Sequence, residues 1–270
     1  MEKLMMKGYL IRVGIDQTKK SGGFNAPVDP ETGKLAYVPI KETIPSRPEN
    51  LTTNYRDFIQ PCRVLGKELP ASLWQERTHL NPDFSKLTYG DINGNDVGLE
   101  NQKPNRRGKP LKDLEENDFL VFYAGWEQTK HLPDHAGYKD KLAYAIIGFY
   151  RVKEKPMSAQ EFVREGFADC NAHTRCEYND AAIIISAKEG ESGRLISGRL
   201  SKCIPIGEFR DKAYRVTKGL LLIWGGFSNN PTGYLQRSII LPKFAEPERF
   251  LDWFYKQLAE RQIVFIKENN

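Results

Sequence analysis

Apolar positions gather in short runs separated by polar loops, and two runs dominate. Asp118–Ala124 and Ala143–Val152 are rich in Phe, Tyr, Ile and Val, residues that fit a pleated surface. They predict two strands joined by a polar loop holding Trp126, His131, His135 and Tyr138. Tyr9–Ile15 predicts an earlier strand, and Leu35–Ile40 a short one after the Asp29-Pro-Glu-Thr-Gly-Lys34 turn. Ala181–Ala187, Leu200–Ile206 and Gln262–Ile266 read as further strands. Gly190–Gly198 reads as a Gly/Ser loop carrying Arg194.

Helical periodicity is concentrated later in the chain. Met157–Gly166 predicts a helix capped by Ser158, with Glu161 completing a capping box. Thr217–Trp224 starts at a Thr cap. Glu246–Ala259 has Pro247 in its first turn and an apolar stripe of Phe250, Leu251, Phe254 and Leu258. Leu51–Pro61 is ambiguous, with Tyr55 and Phe58 placed to share a helix face.

Composition narrows the class. Hydrophobic residues make up 40% and charged residues 28%, ordinary for a soluble globular chain. No apolar run is long enough for a membrane span, and the first residues lack the pattern of a signal peptide. The net charge of +5 suits a nucleic-acid partner but also an ordinary solvated surface. Four cysteines, Cys62, Cys170, Cys176 and Cys203, read as free thiols of a cytoplasmic protein. No internal repeat and no linker divides the chain, so residues 1–270 read as one domain.

Several constellations carry chemistry, each beside a plainer reading. Arg12 and Asp16 share a strand face: they form a structural ion pair or hold the edge of a base. The loop from Asp16 through Gly22-Gly23 to Asn25 is either a flexible connection or a backbone cradle for an anion. Asp83 and Asp91, with Tyr89, form an acidic group suited to a metal or a general base, or to turns alone. Cys170, His173 and Cys176 have zinc-knuckle spacing but no nearby fourth ligand, so no metal is assigned and two free thiols with a polar His is the alternative. The base-deaminase pattern of His-x-Glu and Pro-Cys-x-x-Cys is missing. Pro133 removes the helix on which His131 and His135 would chelate. Asn171 suits a base edge and Arg194 a phosphate. The basic loop Ile92–Pro110 suits a phosphate backbone or bulk solvent.

Seven segments, in order along the chain, resemble the nucleotide modification associated domain 3 proteins. They are Leu10-Ile-Arg-Val-Gly-Ile-Asp16 with Gly22-Gly23, Tyr37-Val-Pro-Ile40, His79-Leu-Asn-Pro-Asp83, Thr88-Tyr-Gly-Asp91, Asn117-Asp-Phe-Leu-Val-Phe-Tyr-Ala-Gly125, Ile204-Pro-Ile-Gly207 and Gln236-Arg-Ser. The resemblance implies a place in DNA base-modification systems of phages and bacteria, without specifying the reaction. The central strand pair is also similar to EVE, ASCH and other PUA-like domains, although Asn117 stands where their Gly usually does. That likeness implies a small mixed barrel with a nucleobase held beside it, and Tyr123 and Trp126 as stacking walls.

The expected fold is α+β: a mixed PUA-like β-barrel core centred on residues 111–207, peripheral helices, and a helical C-terminal addition over 217–266. The expected function is nucleobase or nucleotide handling in a DNA modification system, in an aromatic-lined pocket. Asp16, Asp83, Asp91 and His173 are the catalytic candidates. Arg12, Asn25, Tyr89, Tyr123, Trp126, Asn171 and Arg194 are the nucleotide-binding candidates. Two other classes remain open: a non-catalytic reader of modified bases, and a free-nucleotide-binding defence or counter-defence protein. No motif names a cofactor or a protein partner.

Overall fold

The computed structural model describes residues 5–15, 24–43, 53–92, 107–129, 142–176, 182–236 and 241–268. The first half contains β1 (Gly8–Arg12), β2 (Pro27–Val28), β3 (Ile40–Lys41), α1 (Ile59–Val64), β4 (Thr78–His79) and β5 (Thr88–Ile92). The two long strands follow, β6 (Phe119–Gln128) and β7 (Leu142–Arg151). Then come β8 (Met157–Ser158), α2 (Ala159–Arg164), α3 (Ala172–Arg175), β9 (Ala182–Ser186) and β10 (Gly193–Ser197). The chain continues through β11 (Leu200–Ser201), β12 (Ile204–Pro205), β13 (Gly207–Arg210) and β14 (Ala213–Val216). It ends with α4 (Lys218–Trp224), α5 (Pro247–Glu260) and β15 (Val264–Ile266).

β6 and β7 pair antiparallel and form the spine, with a register shift at Phe122/Tyr123. Their aromatic runs are buried on both faces, which explains a composition nearer to a continuous apolar strand than to an alternating one. On one face, Leu120, Phe122, Ile147 and Tyr150 join Ile11, Val13 and Phe84. On the other, Phe119, Val121, Tyr123 and Phe149 pack against Trp224, Phe244, Phe250 and Phe254. Phe119 lies between the rings of Phe149 and Phe250, and Phe250 stacks in turn on Phe254. The stripe predicted on the C-terminal helix is therefore the lid of this second core.

The mixed α+β architecture is as expected; the closed barrel is not found. The large sheet runs β1-β6-β7-β10-β11, with β2 also on β6, β12 on β7 and β15 on β10. Among the described residues no strand pairing joins its far end back to β1. β5, β8 and β9 form a separate sheet, as do β3 with β4 and β13 with β14. The predicted Gly190–Gly198 loop contains β10, a strand paired with both β7 and β15. The predicted strand Leu200–Ile206 is split: Ser201 turns back on Ile196, while Ile204 pairs with Ile146. No described helix is long and apolar enough to cross a membrane.

One feature of the sheet positions the candidate site. β1 and β2 both lie parallel to β6 on the same edge, at Phe119–Tyr123 and at Glu127–Gln128. Val13 still donates to the Tyr123 carbonyl at 2.8 Å, and Glu127 to the Ala26 carbonyl at 2.9 Å. Past Val13, Ile15 donates instead to the Val38 carbonyl at 2.8 Å.

Candidate nucleotide site

The side chains around that edge follow from strand alternation. Tyr9, Ile11 and Val13 belong to the first core, so Arg12 turns to the opposite face. There its guanidinium Nη2 donates to the Tyr144 hydroxyl at 3.3 Å and its charge lies 5.6 Å from the Tyr144 ring centre. The Tyr144 ring lies against Gly125, where a Cβ would come within 3.1 Å of it. Phe24, Ala26 and Val28 also belong to the first core. Asn25, between them and level with Gly125 in the parallel register, turns to the face of Arg12 and Tyr144. It is only 1% exposed, and neither its carboxamide oxygen nor its nitrogen has a hydrogen-bond partner among the described residues.

β5 organises a second set. Tyr89 and Asp91 point to one side, Thr88 and Gly90 to the other. The Tyr89 hydroxyl donates to Asp91 Oδ2 at 2.7 Å, and Arg107 Nε approaches the same oxygen at 3.2 Å. Asp91 Oδ1 accepts from the Ile92 amide. Arg107 Nη2 reaches both the Tyr89 hydroxyl and the Arg12 carbonyl at 3.4 Å, tying β5 to the end of β1. Burial, then Asp91, raises the Tyr89 phenol well above its ordinary value. Burial works against the Arg107 charge, but Asp91, Tyr89 and Tyr123 together outweigh it and the net shift is upward. The Tyr89 phenol is thus neutral at neutral pH and the guanidinium beside it is a fixed cation.

On the other side of β5, Asn81 forms two bonds with Gly90: its Oδ1 accepts from the amide at 2.9 Å and its Nδ2 donates to the carbonyl at 2.6 Å. Asn171 donates to Asn81 and Thr88 through Nδ2, and its Oδ1 caps α3 by accepting from the His173 amide. The His173 ring fits over Gly90, where a Cβ would come within 2.7 Å of it. Burial first, and the neighbouring His79 second, push the His173 pKa down to about 3. His79 meets His173 edge-on at 4.9 Å and, on its far side, bonds through Nδ1 to Glu42 Oε2 at 2.7 Å.

The candidates from sequence divide accordingly. Tyr89 and Asp91 are brought together, as are Asn171 and His173, and Arg107 links Arg12 to the first pair. Asp83 is fully buried and its oxygens are occupied: Oδ1 accepts from the Ser85 and Lys86 amides and the Ser85 hydroxyl, and Oδ2 from Arg175. Tyr123 is 0% and Trp126 1% exposed, so neither ring presents an accessible face; the register puts them in the two cores instead. The Tyr123 hydroxyl donates to the Leu235 carbonyl at 2.8 Å. Arg194 lies elsewhere, held by Ser201 and Glu268. Asp16, Gly22-Gly23, His131 and His135 lie outside the described residues. Cys170, His173 and Cys176 diverge, with the Cys176 thiol bonded to the Ala172 carbonyl. Among the described residues no group of three His, Cys, Asp or Glu side chains is arranged to hold a metal.

Glu42, Asn81 and Arg175 were not singled out by sequence, nor was His79 as a site residue, while Arg107 was read only as one charge of the basic loop Ile92–Pro110 and Tyr144 only as one of the strand aromatics. Asn81 and His79 do lie in the His79–Asp83 segment that carried the family resemblance, and Gly90 lies in Thr88–Asp91. Those two segments are bonded to each other through Asn81. Tyr37, from a third segment, joins them by donating to the Asn81 carbonyl at 3.4 Å. Residues 7–218 match the family described as nucleotide modification associated domain 3. No curated protein and no solved structure matches the chain.

Proposed function

Since the chain belongs to the nucleotide modification associated domain 3 family, whose description ties it to nucleotide modification, we propose that it binds a nucleobase or nucleotide of a DNA modification system at the edge of β6. Arg12 supplies a cation, held in place by the hydroxyl and ring of the buried Tyr144, and Asn25 supplies the hydrogen-bonding edge. Arg107, locked by Asp91 and Tyr89, holds the end of β1 in place and adds positive charge. The observation that carries this reading is Asn25. A carboxamide offers two donors and two acceptor positions, and leaving such a group buried and unbonded costs about 1–3 kcal/mol. A base edge presents the complementary donor and acceptor pair.

Asp83 and Asp91 have their oxygens occupied, and His173 is held neutral by burial. These three therefore support a positioning role rather than proton transfer, which favours binding of a base over chemistry at those residues. Calorimetric titration with the four deoxynucleoside monophosphates, and with a DNA duplex carrying modified bases, tests the reading. Arg12→Ala is expected to weaken binding roughly tenfold, the worth of one charge-assisted hydrogen bond. Unchanged affinity in Arg12→Ala, or no binding to any of these probes by the wild type, would contradict it.

A further inference from the structure

We propose that Glu42 and His79 form an acid–base dyad, with His79 Nε2 as the atom that exchanges a proton with the bound nucleotide. This rests on the nucleotide-binding reading above and goes beyond it in assigning chemistry to a separate pair of side chains.

The geometry begins with the backbone. β3 and β4 pair antiparallel, with Ile40 opposite His79. The Glu42 amide continues the ladder by donating to the Arg77 carbonyl at 2.9 Å. Glu42 and His79 are therefore diagonal neighbours on one face of a two-stranded ribbon, close enough for side chains to meet. They do so at 2.7 Å, with the two side chains only 6% and 11% exposed. An ionised carboxylate only accepts hydrogen bonds, so Nδ1 carries a proton, and in the neutral tautomer that this bond selects the lone pair falls on Nε2. Nε2 has no hydrogen-bond partner among the described residues and is not sealed among the buried, unbonded atoms.

The surroundings hold the ring still. His173 abuts it edge-on and is itself fixed by Asn171, Gly90 and Asn81. The His173 ring lies over Gly90 of β5, whose neighbours Tyr89 and Asp91 hold Arg107 against the Arg12 carbonyl, so β5 links the dyad to the binding edge. The step is a simple transfer. An O–H or N–H of the ligand gives its proton to Nε2, the electron pair stays on that oxygen or nitrogen, and Glu42 stabilises the imidazolium without taking the proton. The proton then returns from Nε2 to the same atom, and no other bond is made or broken. His79 is the acid–base residue and Glu42 positions it.

The chain has four histidines, which makes nitrogen NMR of the histidine side chains decisive. In ligand-free protein at pH 8, with His79 assigned by its loss in His79→Gln, the account expects a neutral ring protonated on Nδ1 with a bare Nε2. Glu42→Gln is expected to lose that tautomer, Glu42→Asp to retain it, and deoxynucleoside monophosphates to shift the Nε2 resonance. Should Glu42→Gln fail to fold, the wild-type tautomer and its response to nucleotide still decide. A proton on Nε2, an imidazolium at pH 8, or an Nε2 signal unmoved by nucleotides that do bind would overturn the dyad and leave the binding reading standing. Absence of any nucleotide binding, with the Nδ1 tautomer present, would overturn the binding reading and with it the dyad's substrate.

Discussion

His173 illustrates how a residue's type and its environment pull apart. The sequence offers it as an acid or base because an ordinary imidazole titrates near neutrality. Burial on α3, with His79 against it, holds its pKa near 3 instead. The unfolded chain takes up this proton near pH 6.5 and the folded chain resists it, so the unfolded state binds more protons throughout that window. The stability is therefore full above about pH 6.5 and is lost as the pH falls toward 3, by at most about 1.4 kcal/mol per pH unit from this group. Urea unfolding between pH 7.5 and 4.5 should show a shallower acid loss in His173→Gln than in the wild type. Parallel pH profiles would show that His173 is not buried neutral. Tyr123 carries the same lesson. Its ring and hydroxyl are committed to the second core and to the Leu235 carbonyl, so a loss of binding on truncation there would reflect a core cavity rather than a lost stacking wall.

At the scale of elements, legibility followed locality. α2, α4 and α5 announce themselves through nearby residues: Ser158 with Glu161, Thr217 accepting from the Leu220 amide, and Pro247 in a first turn. β6 and β7 were legible from their aromatic and β-branched runs. β10 was not, because Gly193, Ser197 and Gly198 imitate a loop, and only its pairing with β7 and β15 makes the segment a strand. The candidate site was half legible for the same reason. Asp91 and Tyr89 are two residues apart on one strand, whereas Glu42 and His79, or Arg12 and Arg107, are distant in sequence and are joined only by the fold. β5 shows what that joining demands. At Gly90 an added Cβ would fall 2.7 Å from the His173 ring and 2.9 Å from Asn171 Oδ1, both anchored. Gly90→Ala should cost roughly 1–3 kcal/mol in chemical unfolding and disturb the His79 resonances. A variant as stable as the wild type with an unchanged His79 signal would mean that the packing over β5 is looser than described.

For the molecule as a whole, two cores clasp the β6–β7 spine, and β1 and β2 share one edge of it, with the proposed ligand contacts Arg12 at the end of β1 and Asn25 just before β2. The barrel expected from the PUA-like resemblance is replaced by an open, branched sheet, while the family resemblance itself holds over residues 7–218. The net charge of +5 is modest, so the salt response separates the forms of ligand. Free nucleotide held by one or two guanidiniums should lose affinity only gently with salt. A DNA duplex tracked along its backbone should lose it steeply, with a slope near the number of phosphates neutralised. Equal slopes for monophosphate and duplex would show that the protein contacts no phosphates beyond those of the bound nucleotide.

The central claim is that Asn25 is kept unsatisfied for a ligand, and Asn25→Leu tests it most directly because stability and binding then move in opposite directions. Removing a buried, unbonded carboxamide should raise the unfolding free energy of the ligand-free protein by about 1 kcal/mol while weakening nucleotide or duplex binding about tenfold. A destabilised Asn25→Leu protein that binds as tightly as the wild type would contradict the account.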